Sequence, residues 1–111
     1  MSKDLAYKFI AQAAEALQEI PPDSIVSRTL YNDPVVKVIL FGFAAGQELS
    51  EHTSARRAML QFLDGRAEVV LGHDRFEAQA GTFVYMPPHL IHSVTAFEDT
   101  RMLLIQVDDA R

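Results

Sequence analysis

Of the residue types that do chemistry, histidine is the one this chain offers most pointedly: four imidazoles, at 52, 73, 89 and 92, and no cysteine. Imidazole titrates near neutral pH, so it serves as acid, base or neutral metal ligand. The absence of cysteine removes thiolate nucleophiles and thiolate metal sites together. A serine nucleophile finds no support either, because neither Ser54 nor Ser93 lies in a nucleophile elbow or in a glycine loop that would supply oxyanion donors. Asp108-Asp109 reads as a polar tail and Glu98-Asp99 as a turn, not as a spaced catalytic carboxylate pair. No glycine-rich phosphate loop is present. His73, between Gly72 and Asp74, has the setting of a solvated hairpin tip. That leaves His52, His89 and His92, and the question of which elements hold them.

From 5 to 19, Leu5, Phe9, Ala13 and Leu17 recur every four residues with Ile10 and Ala14 on the flank, which predicts an amphipathic α-helix. Pro21-Pro22 ends it, since the residue before a proline avoids helical angles and proline has no N–H. Beyond Asp23 the texture changes to short runs rich in Val, Ile, Phe, Leu and Thr, broken by Asn32-Asp33-Pro34, Gly46, Asp64-Gly65, Gly72-His73-Asp74, Gly81 and Pro87-Pro88. Strands are expected at 25–30, 35–44, 58–63, 67–71, 75–78, 82–86, 92–97 and 102–107. Many short strands at even spacing make an all-β sandwich or barrel. Met59, Phe62, Phe83, Tyr85 and Met102 are expected in its core. Gly65 and Gly81 fall where tight reversals call for positive φ.

The histidines sit in two patterned stretches. One runs Gly46-Gln47-Glu48-Leu49-Ser50-Glu51-His52-Thr53-Ser54 and on through Arg56, Arg57 and Ala58 to Gly65; the other runs Gly81-Thr82-Phe83-Val84-Tyr85-Met86-Pro87-Pro88-His89-Leu90-Ile91-His92. Here the sequence resembles the cupin superfamily. That family's first motif is glycine, five residues, His-x-His, three or four residues, glutamate, six residues, glycine; its second is glycine, five residues, Pro-x-Gly, two residues, histidine. Gly46, His52, Gly65, Gly81, Pro87 and His92 match in type and spacing. Ser54 stands where the family has its second histidine, Ala58 where it has glutamate, and His89 where it has the glycine after proline.

The resemblance implies an all-β cupin double-stranded β-helix, or jelly-roll barrel of the RmlC-like kind, over 23–111, with 1–22 as an N-terminal α-helix and proline break in one overall domain. It implies His52 and His92 as metal ligands, for Fe, Mn, Ni or Zn, with open positions for substrate. Two imidazoles alone hold a divalent ion poorly, so a further donor is needed, and His89, three residues before His92, is the possible third ligand. Ser54, Arg56 and Gln61 are the candidate cavity residues, with Gln106 and Glu51 as further polar side chains beside apolar strands. Three readings stay open: a small-molecule binding module with no metal, a metal-dependent oxygenase or isomerase, and a ligand-free homo-oligomer.

A formal charge of −5 without any run of Lys or Arg gives no footprint for nucleic acid or anionic lipid, so neither is an expected partner. No apolar stretch reaches the length of a signal core or a membrane span, and the expected location is cytoplasmic. Open strand edges and apolar outer faces predict a homodimer, with 35–43 as the contributing strand.

Overall fold

The computed structural model describes residues 5–108, the side chains of Glu51 and His52 excepted. Nine strands form: β1 (Ile25–Asn32), β2 (Val36–Phe43), β3 (Glu48–His52), β4 (Arg57–Asp64), β5 (Arg66–Leu71), β6 (Asp74–Gln79), β7 (Phe83–Met86), β8 (His92–Ala96) and β9 (Thr100–Val107). They make two antiparallel sheets, one in the order β1-β2-β9-β4-β7 and one in the order β3-β8-β5-β6. The inner faces enclose Phe43, Leu60, Phe62, Val69, Met86, Val94 and Met102, all at most 2% exposed. Eight strands match the expected alternating runs. β3 was not expected, because Glu48-Leu49-Ser50-Glu51-His52 carries a single apolar residue; its pairing with β8 makes it a strand.

The N-terminal α-helix does not form. Within 5–19 the only helical feature is one 3₁₀ turn, Ala13–Ala16. The carbonyls at the end of the segment find partners outside it. Residues 21 and 22 are prolines with no N–H to offer the carbonyls of Leu17 and Gln18. Arg101 of β9 takes these carbonyls instead, its Nε donating to Leu17 O at 2.7 Å and its Nη2 to Gln18 O at 2.6 Å. Arg28 of β1 likewise donates to Ala16 O at 3.1 Å. Short isolated helices are marginal in water, and these bonds tie the end of the segment to the barrel in a non-helical path.

Leu17 and Ile20 then lie over Gly42 on the outside of the five-stranded sheet. A Cβ at Gly42 would fall 2.8 Å from one and 2.9 Å from the other.

The expected core also needs correction. Phe62 and Met102 are buried, but Phe83 and Tyr85 are 56% and 45% exposed, and Met59 is only partly covered. Side chains alternate along a strand. In β4 the buried set is Ala58, Leu60 and Phe62, so Met59 and Gln61 face outward; register puts Tyr85 opposite Met59 and Phe83 opposite Gln61.

Gly65 marks the corner at which the chain passes from β4 in one sheet to β5 in the other, with φ +79°. The buried Thr100 packs into that corner, its Oγ1 accepting from Arg66 N–H at 3.2 Å and lying 2.8 Å from Glu98 O, to which it donates. No helix among the described residues is long and apolar enough to cross a membrane.

Candidate functional site

β8 starts immediately after the proline turn, and its alternation sends His92, Val94 and Ala96 inward. His92 is 7% exposed, with Nδ1 2.9 Å from Leu90 O. A carbonyl only accepts, so Nδ1 donates in this bond and Nε2 is the ring atom turned from Leu90. Two residues earlier in the turn, His89 occupies the left-handed region at φ +70°, where the motif has glycine, and its N–H donates to Ser54 O at 2.7 Å. That bond ties the approach to β8 to the segment leaving β3. The strand pairing sets His52 directly opposite His92. The side chain of His52 lies outside the described residues, as does that of Glu51.

Between the sheets, beside His92, is a cavity of about 220 Å³. Leu49, Ala58, Leu60, Met86, Val94, Met102 and Leu104 form its apolar wall; His92, Thr53, Ser54 and Gln106 are its polar groups. No charged side chain is among the described residues that line it. The wall follows from alternation: β9 sends Met102, Leu104 and Gln106 inward, and register sets Gln106 opposite Ala58. Ser54 Oγ also accepts from Arg56 N–H at 3.1 Å, which holds the turn between β3 and β4.

The structure therefore brings His92, Ser54 and Gln106 to one cavity. It places His89, Arg56 and Gln61 elsewhere. His89 is exposed and is not part of the cavity wall. Arg56 is half-exposed and reaches Asp108 at 3.7 Å. Gln61 faces outward from β4, its Nε2 3.4 Å from Thr82 O. Thr53 was missed by sequence reasoning. The register of β3 shifts between Leu49 and His52, so simple alternation does not carry past that point, and no residue type announces the irregularity.

The donors can be tested against the metal centre the motifs imply. Among the described residues no three His, Asp or Glu side chains converge. The carboxylate position is Ala58 and the second imidazole position is Ser54, both on the cavity wall. One described imidazole, two hydroxyls and an amide do not make the three or four firm donors that hold a divalent ion. The described residues by themselves do not complete such a centre; the side chain of His52, the other ligand the motifs imply, is not among them.

A second concavity, of about 350 Å³, opens at the seam between β6 and β7. Its polar groups are already used: Glu77 is paired with Arg66 at 2.8 Å and the Tyr85 hydroxyl with Arg57. It offers a ligand little orientation.

The family model described as "Cupin domain" matches residues 39–108. No curated protein matches the chain. Among solved structures, a conserved protein of unknown function from Streptococcus pyogenes is similar at 26% identity and TM-score 0.81, over 97% of this chain and 100% of that one. A cupin superfamily protein from Desulfitobacterium hafniense is similar at 22% identity and TM-score 0.83, over 96% and 100%. A cupin 2 conserved barrel domain protein from Leptotrichia buccalis is similar at 28% identity and TM-score 0.79, over 86% of this chain and 46% of that one.

Proposed function

Since the chain belongs to the cupin family, and since the family's usual metal-holding positions at 54 and 58 carry serine and alanine, we propose that it is a small-molecule binding module. The ligand is compact and neutral, with an apolar body and a hydroxyl or amide group. The observation that carries this reading is the cavity itself, apolar-walled with His92, Ser54, Thr53 and Gln106 as polar anchors. Its volume of about 220 Å³ lies below the ~300–1,000 Å³ of drug-sized sites, which limits the ligand to a small one. A carboxylate or ammonium would find no opposite charge among the described lining residues, and an unpaired buried charge is costly. The lack of cysteine agrees with a reducing cytoplasm as the place where it works.

The test is a thermal-shift screen of small neutral alcohols, amides and ketones against wild type, His92→Ala and the cavity-filling Ala58→Leu. Ligand at 100 times its dissociation constant stabilises the folded chain by about 2.7 kcal/mol. The expected result is a saturable shift in wild type that is reduced by His92→Ala and lost in Ala58→Leu. Shifts that persist unchanged in Ala58→Leu place the ligand elsewhere and end this reading. The pairing of His52 with His92 favours one alternative, a metal-dependent oxygenase or isomerase with these two histidines as ligands. Elemental analysis of chelator-free wild type beside His52→Ala and His92→Ala separates the two: stoichiometric metal, lost in either variant, replaces the first reading by the second.

A further inference from the structure

At the seam between β6 and β7 each sheet ends in a free edge, β6 being the outermost strand of the four-stranded sheet and β7 of the five-stranded one. The turn at Gly81 joins them, with Thr82 N–H donating to Gln79 O at 2.9 Å, but no strand lies between them farther along. The buried Val69 and Ala78 floor the concavity of about 350 Å³ that this leaves. Three aromatic side chains line it. Phe76 shares the inner side of β6 with Ala78, yet stays 54% exposed because no neighbouring strand covers it. Phe83 and Tyr85 join it from β7, at 56% and 45% exposed.

These rings are not used within the chain. Among the described residues the one ring pair is Phe41 with Phe43, and the one cation over a ring is Arg66 over Phe97, at 5.3 Å. Arg57 reaches the hydroxyl end of Tyr85 and does not line the concavity. An aromatic face is electron-rich and attracts a cation. The charged residue on the lining is Glu77. Its guanidinium partner, Arg66, is shared with Glu98 at 3.3 Å, so two carboxylates face one cation and the rim stays negative. The net charge of −5 adds attraction at longer range. The polar groups here are already bonded, which disfavours a ligand that needs hydrogen bonds. A quaternary ammonium has no N–H and needs none, and its methyl groups suit an apolar wall.

We propose that this seam is a second ligand site, for a small quaternary ammonium compound, with a trimethylammonium group seated among Phe76, Phe83 and Tyr85 and Glu77 as its counter-charge. It is independent of the cavity beside His92, since no described residue lines both. A free small molecule is the occupant, because the volume lies at the lower end of the ~300–1,000 Å³ of small-molecule sites.

Nuclear magnetic resonance titration of the purified full chain with choline tests this. The choline methyl signal is expected to move upfield as it enters the ring currents and to saturate with a Kd of about 1–10 mM, the range for a few part-exposed cation–π contacts. The neutral carbon isostere of choline, in which a tert-butyl group replaces trimethylammonium, is expected to bind at least about tenfold more weakly. Phe76→Leu and Tyr85→Leu keep the wall apolar but remove a ring, and each is expected to weaken choline about fivefold. Glu77→Gln is expected to weaken it about twofold. Ala58→Leu, which fills the other cavity, is expected to leave choline binding unchanged. Should a ring variant fail to fold, the comparison of choline with its isostere on wild type decides. Equal binding of the isostere, choline binding indifferent to both ring variants, its loss in Ala58→Leu, or no saturation by ~50 mM overturns the proposal. So does tighter binding of a peptide bearing trimethyllysine than of choline, which would assign the seam to a protein tail.

Discussion

Replacing Gly65 by alanine tests the corner that joins the two sheets. At φ +79° an alanine is held in the left-handed region, which costs a residue with a β-carbon about 1–2 kcal/mol. The added methyl also has nowhere to go. It would lie 2.3 Å from Thr100 Oγ1, 2.4 Å from Asp99 O and 2.6 Å from Thr100 Cα. Two of these atoms are backbone, so rotating a side chain cannot relieve the overlap and the start of β9 must shift. Overpacking of this kind costs roughly another 1–3 kcal/mol. The sum, about 4 kcal/mol, is a large part of the ~5–15 kcal/mol that holds a domain folded, and corresponds to a fall in Tm on the order of 15 °C.

Gly81 supplies the internal control. Its φ is +93° but nothing lies within 4 Å of an added Cβ, so Gly81→Ala pays only for the backbone conformation, about 5 °C. Urea unfolding followed by circular dichroism measures both. Equal destabilisation of the two variants, or a Gly65→Ala chain within about 1 kcal/mol of wild type, would refute the packing argument. Thr100→Ala in the Gly65→Ala background should recover little, because it removes only one of the three overlaps.

Two further perturbations probe the site and the first hairpin. Ser54→His with Ala58→Glu places an imidazole and a carboxylate on the cavity wall beside His92; without metal the buried carboxylate should cost several kcal/mol, and Zn²⁺ or Mn²⁺ should restore melting in this variant but not in wild type, read by melts with and without chelator. Absence of a metal-dependent rise would show that these positions do not converge. Asp33 accepts from the Tyr31 hydroxyl at 2.6 Å and from the N–H groups of Val36 and Val35, and these bonds, the Tyr31 one foremost, lower its pKa from 3.8. A lowered folded-state pKa contributes stability above the unfolded value that is lost as pH falls through the folded one. The gap in urea midpoint between wild type and Asp33→Asn should therefore be full at pH 7 and close below 3.8; a gap unchanged at low pH would contradict it.

Sequence reasoning reached the barrel because its signals are local. Short alternating runs and turn residues at Gly46, Gly65, Gly72 and Gly81, each with positive φ, mark strand ends without reference to the rest of the chain. It failed where distant residues decide. The four-residue spacing of Leu5, Phe9, Ala13 and Leu17 is helical on its face, yet Arg101 and Arg28 hold the carbonyls at its end. The inward side of β4 was ambiguous because Arg57–Asp64 carries Met59 and Leu63 on one face and Leu60 and Phe62 on the other. For the site, His92 and Ser54 were legible from the motifs, and Gln106 was a polar residue whose inward direction only the register of β9 reveals. His89 looked like a donor; the positive φ at that position shows that the turn uses its backbone.

The strand order also constrains when the protein can fold. β9, the ninth described strand in chain order, lies between β2 and β4 in the five-stranded sheet. Until it is in place, β2 and β4 each lack the neighbour they share, and the carbonyls of Leu17 and Gln18 lack the guanidinium that caps them. Those last bonds span 84 and 83 residues of chain. The five-stranded sheet therefore cannot be completed in chain order; it closes only when β9 is available, in a slow step dominated by non-local contacts. Until then the facing edges of β2 and β4 are open to other strands, so a variant that loses β9 loses the pairing of the whole five-stranded sheet.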